Sequence, residues 1–68
     1  MLYDLRMTGN GAPVERKGVS EVEMYKLTHD NDAVNEIVWK LGHGAPRYTY
    51  DAYDLNGNRL HITAKPAG

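Results

Sequence analysis

The chain has 68 residues and no cysteine, with eight Lys and Arg against nine Asp and Glu for a formal net charge of −1. A domain this small buries roughly 60% of the surface its unfolded chain exposes, so the core is thin, and without thiols neither a disulfide nor a thiolate metal site can supplement it. The near-neutral balance argues against a dominant attraction to phosphate backbones, and no run approaches the ~20 apolar residues of a membrane-spanning helix.

In the opening MLYDLRMT, Tyr3, Leu5 and Met7 alternate with Asp4, Arg6 and Thr8, the pattern of a strand with one buried face. Asp4 and Arg6 interrupt the apolar region a secretory leader would need, so a reducing cytoplasm is the expected location. The chain starts at Met and runs straight into this pattern, and it is expected to be complete as encoded. Gly9-Asn10-Gly11 and Pro13 then break the strand, and PVERKG is read as a loop or short edge strand.

Two readings compete from Val19 to Thr28. With period two, Val22 and Met24 face inward and Glu21 and Glu23 outward, but Tyr25 and Leu27 fall on the polar side. Read as a helix, Ser20 and Glu23 form a capping box, yet Val22, Met24, Tyr25 and Leu27 make no compact stripe. A second strand is expected, paired with the first and carrying a bulge near Tyr25.

Asp32 to Gly42 is an amphipathic helix by its spacing. Val34, Ile37, Val38 and Leu41 fall at i, i+3, i+4 and i+7. Asp30 or Asp32 is placed to cap its N-terminus, and Gly42 is expected to take the left-handed position that ends it.

After the turn Gly42-His43-Gly44-Ala45-Pro46 comes a hairpin, RYTYDAYDLNGNRLHITAK. A two-residue Asn56-Gly57 turn would mix polar and apolar side chains on each face. A three-residue loop, Leu55-Asn56-Gly57, separates them: Tyr48, Tyr50 and Ala52 lie with Leu60, Ile62 and Ala64, while Arg47, Thr49, Asp51 and Tyr53 lie with Arg59, His61, Thr63 and Lys65. Since a one-residue slip inverts every side chain, the second register is expected, with Asp54 opening a type I turn and Gly57 left-handed.

The expected fold is therefore α+β, in ββαββ order, with one helix on one face of an antiparallel sheet. Residues 1–65 make a single domain and 66–68 a flexible tail. Its core is expected to hold Tyr3, Leu5, Met7, Val22, Met24, Val34, Ile37, Val38, Leu41, Tyr48, Tyr50, Leu60 and Ile62.

Little of the sequence points to chemistry. His29, His43 and His61 with Asp30, Asp32, Asp51 and Asp54 are the candidate metal ligands, but His29, Asp30 and Asp32 are better explained as groups at a helix start. The stretch from Asp30 lacks the glycine and glutamate of a calcium loop. Ser20, the lone serine, has no evident base. His61 and Asp51 face each other in the expected register and could serve as base and orienter, although a cross-strand polar pair explains them as well. Neither glycine cluster has phosphate-loop spacing. No catalytic residue, metal or cofactor is assigned, and the chain is expected not to be an enzyme.

Recognition is what remains. Trp39 lies away from the apolar stripe of its helix, beside Asn35 and Glu36, and Trp is prominent among interface hot spots; a loop near Pro13 folding over it is the competing explanation. Five acidic residues and one lysine lie between Glu21 and Glu36. The leading expectation is a small protein that binds another protein through Trp39, Asn35, Glu36, Glu21 and Glu23, as a phage or mobile-element inhibitor such as an anti-CRISPR or anti-repressor would. A second is nucleic-acid binding through Arg47, Tyr53, Arg59, His61 and Lys65 on the outer hairpin face. The third is a homo-oligomeric component, a homodimer in the simplest case, that buries Trp39 or an uncovered strand edge against its own copy.

Overall fold

In the computed structural model, which describes residues 1–9, 11–53 and 56–67, the chain runs β1 (Tyr3–Gly9), β2 (Gly11–Val19), α1 (Glu21–Thr28), α2 (Asn31–Gly42), β3 (Tyr48–Tyr53) and β4 (Arg59–Pro66). The strands form one antiparallel sheet in the order β2-β1-β4-β3, so the first and last strands meet at its centre. The architecture is α+β, and its order is ββααββ.

Two sequence expectations are corrected here. The strand that pairs with β1 is Gly11–Val19, earlier in the chain than expected, and residues 21–28 are helical. Ser20 caps this helix, its Oγ accepting the Glu23 N–H at 3.2 Å and satisfying a helix-start donor. Met24 and Thr28, one turn apart, bury the inner side of α1 with Leu27 beside them, while Val22 stays 63% exposed and leaves the expected core. Two outward apolar side chains, Val22 and Tyr25, had blurred the stripe.

His29 closes α1 in the left-handed conformation, φ 54°, and donates its N–H to the Tyr25 carbonyl at 2.7 Å. The Asp30 carboxylate then accepts the Ala33 N–H at 3.0 Å and caps α2. Gly42 is the last residue of α2; the left-handed position falls at Gly44, φ 95°, after His43. Gly44 and Ala45 donate to the Leu41 and Lys40 carbonyls, the paired bonds of a Schellman ending.

Between sheet and helices the buried apolar residues are Tyr3, Leu5, Met7, Val19, Met24, Ala33, Val34, Ile37, Leu41, Ala52, Ile62 and Ala64; Val38, Tyr48, Tyr50 and Leu60 pack at its margin, half-buried. The β3–β4 register pairs Tyr48 with Ala64, Tyr50 with Ile62 and Tyr53 with Arg59, as the separation of faces requires. Asp54 and Leu55, on which the turn assignment rests, lie outside the described residues, as does Asn10. β4 continues to Pro66 opposite Tyr3, and Ala67 donates to the Leu2 carbonyl at 3.0 Å, so the ladder takes in part of the expected tail.

Candidate functional site

The helix layer and the uncovered side of the sheet present different surfaces. On α2, Ala33, Val34, Ile37 and Leu41 point into the core, which turns Trp39 to the opposite side of the same helix. Trp39 is 55% exposed. The indole is supported from its own helix: the His43 ring lies 4.7 Å away at 44°, and Lys40 Nζ stands 5.2 Å above the indole and 5.7 Å from the Tyr48 ring. His43 Nδ1 sits 2.7 Å from the Trp39 carbonyl oxygen, which holds the imidazole in that stack. Pro13 belongs to β2, at the sheet edge remote from β3, and does not cover the indole.

Asn35 and Glu36 share α2 with Trp39. Glu21 and Glu23 stand in the first turn of α1, where their charges suit the positive end of the helix dipole. Among the described residues, no hydrogen bond or ion pair links those two glutamates to Trp39. Glu21 instead acts on Tyr3, whose phenol pKa is raised above 10.0 by burial and then by that carboxylate.

The outer side of the sheet carries Asp4 and Arg6 from β1, Glu15 from β2, Thr49, Asp51 and Tyr53 from β3, and Arg59, His61, Thr63 and Lys65 from β4. Tyr53 is 68% exposed and lies opposite Arg59. His61 Nδ1 pairs with Asp51 Oδ1, both side chains about half exposed, and Thr49 and Thr63 bond through their hydroxyls at 3.1 Å. Water reaches both members of the His61–Asp51 pair, which reads as a cross-strand contact.

At the end of this face near Arg47 and Lys65 is an open depression of about 310 Å³. Five of the chain's eight Lys and Arg line it: Arg6, Arg16, Lys17, Arg47 and Lys65. Two carboxylates also line it, and both are engaged, Asp4 accepting the Gly18 N–H at 3.1 Å and Glu15 pairing with Arg6 at 3.5 Å. The structure thus joins Arg47 and Lys65, expected from the sequence, to Arg6 of the first strand and to Arg16 and Lys17, which the sequence reading left in a loop or short edge strand. Recognising Gly11–Val19 as a strand antiparallel to β1 would have brought Arg16 and Lys17 beside Arg6, but not beside Lys65 of β4. Tyr53, Arg59 and His61 share the face but lie outside the depression.

The histidines are dispersed, His29 between the helices, His43 on Trp39 and His61 on β4. Among the described residues no group of three His, Asp or Glu is close enough to hold a metal ion. No family model, curated protein or solved structure matches this chain.

Proposed function

We propose that the protein is a non-enzymatic binder that captures another protein through its helix layer, with Trp39 as the anchor and Asn35, Glu36, Glu21 and Glu23 as the polar surround. The observation that carries this is the exposure of Trp39 on the helix face opposite the core. An indole side chain offers roughly 150 to 250 Å² for burial. Covering the exposed 55% would therefore release about 2 to 3.5 kcal/mol at roughly 25 cal/mol per Å². That is the scale of an interface hot spot, and the neighbouring carboxylates suit a basic partner surface. Inhibition, as by the anti-CRISPR and anti-repressor proteins of phages, fits a binder of this size. A cytoplasmic location fits a chain without cysteine, and among the described residues no helix is long and apolar enough to cross a membrane.

The test is affinity capture of the tagged chain from its host lysate after nuclease treatment, with Trp39→Ala as control. One stoichiometric protein lost in the control supports the reading; capture unchanged by Trp39→Ala removes its basis.

A second reading is favoured by the five cations gathered in one depression, namely nucleic-acid binding along the outer sheet face with Arg47, Tyr53, Arg59, His61 and Lys65. Its test is fluorescence anisotropy with a labelled single strand and a labelled duplex at low salt. Lys65→Glu and Arg47→Glu should each weaken binding and flatten its salt dependence, and no binding at low salt ends this reading.

A further inference from the structure

Among the described residues, β2 and β3 each keep one edge unpaired, and those edges are built differently. Pro13, Glu15, Arg16 and Lys17 lie along β2, whose pairing with β1 shifts register twice. Proline, charge and irregular pairing are the devices that discourage addition of a further strand. β3 reads Tyr-Thr-Tyr-Asp-Ala-Tyr, with neither proline nor glycine and one charge, and keeps unbroken register with β4 from Tyr48 to Tyr53.

From this contrast we infer that the free edge of β3 receives β3 of a second copy of this chain, antiparallel about a two-fold axis through Thr49. Residues directly opposite in an antiparallel pair share a face, so the axis must pass through a residue. With Asp51 on the axis, two carboxylates would oppose each other, which disfavours that register. Tyr50 on the axis sets Tyr48 against Ala52. Thr49 on the axis sets Arg47 against Asp51 twice on the outer face and Tyr48 against Tyr50 twice on the inner face, pairing opposite charges and aromatic rings together.

The helix layer has the same two-fold complementarity. Lys40 lies beside Tyr48, while the Tyr50 phenol pKa is raised by burial and then by Asp30, Asp32, Glu36 and Tyr48. The flank of α2 along β3 is thus basic near Tyr48 and acidic near Tyr50. An axis through Thr49 exchanges those ends, and Lys40 of each copy faces Asp32 and Glu36 of the other. α2 lies over β3 and reaches β4. With strands about 4.8 Å apart, the two helices would stand between about 5 and 14 Å apart, a range that contains helix packing distances. Because the axis is perpendicular to the sheet, both basic depressions fall on one face of a continuous eight-stranded sheet, and both Trp39 side chains lie on the other side.

Sedimentation of the full chain from micromolar to millimolar concentration tests this, with circular dichroism to show that each variant is folded. The wild type should form a concentration-dependent dimer. Thr49→Lys, which opposes two ammonium groups on the axis, should raise its dissociation constant by up to about fivefold. Glu36→Lys and Lys40→Glu should each weaken the dimer and the two combined should restore it, with thermal midpoints of the dilute monomers separating this from the i, i+4 charge interaction of the same two residues within α2. A chain that stays monomeric throughout overturns the proposal, as does a dimer that tolerates Thr49→Lys or is not restored by the double exchange.

Discussion

Replacing Gly9 with alanine should remove a large part of the stability of this protein. Gly9 sits at the end of β1 with φ 145°, a conformation that side chains rarely adopt, and a Cβ there would run into the Arg59 carbonyl oxygen of β4 and approach the Leu60 Cα at 3.3 Å. The conformational strain costs about 1 to 3 kcal/mol, and overpacking against a backbone that can yield only by opening the central β1–β4 pairing adds about 1 to 3 more. At roughly 0.05 to 0.15 kcal/mol per residue, a chain of this length has only about 3 to 10 kcal/mol in all. Gly44→Ala is the matched control, since Gly44 has φ 95° but open space around its missing Cβ and incurs the strain alone. Urea unfolding followed by circular dichroism should place Gly9→Ala about 1 to 3 kcal/mol below Gly44→Ala. Equal losses in the two variants would refute the collision argument, and a Gly9→Ala loss under about 0.5 kcal/mol would refute the strain argument as well.

Ile37 is fully buried beneath α2, and Ile37→Ala should cost about 2 to 5 kcal/mol, leaving a chain that urea unfolds at much lower concentration. His29→Gly relieves a left-handed backbone at a residue with a Cβ and should stabilise by up to about 1 kcal/mol, read as a rise in Tm; a fall would mean that the His29 side chain contributes more than its backbone costs. At alkaline pH, Tyr3 and Tyr50 have pKa values above 10.0, Tyr3 through burial and then Glu21, Tyr50 through burial and then Asp30, Asp32, Glu36 and Tyr48. The folded state therefore holds these phenolic protons more tightly than the unfolded chain, so their contribution is complete below pH 10.0 and is lost as pH rises through the raised values. Denaturant midpoints across that range should fall less steeply in Tyr50→Phe than in the wild type, and identical slopes would show that Tyr50 is not linked to folding.

The candidate faces were unequally legible. Trp39 could be found on α2 because the apolar stripe of a single helix fixes which side chains point away from it, with no knowledge of the partner layer. Arg6, Arg16 and Lys17 could not be joined to Arg47 and Lys65, because that cluster requires β2, β1 and β4 to lie side by side in order.

By itself the sequence determined the features that depend on local periodicity and on side-chain separation within one hairpin: β1, the buried stripe of α2, and the β3–β4 register in which Asp51 meets His61. Each rests on neighbours a few residues apart, or on one slip that would exchange a whole face. Only the tertiary structure decided that residues 21–28 are helical, for their apolar residues serve the core and the surface at once, and which of them is buried, Met24 but not Val22 or Tyr25, depends on the layer they pack against. The meeting of β1 with β4 likewise depended on contacts between the two ends of the chain, which no local pattern records. That pairing is what turns scattered charges into a basic sheet face opposite the Trp39 helix layer.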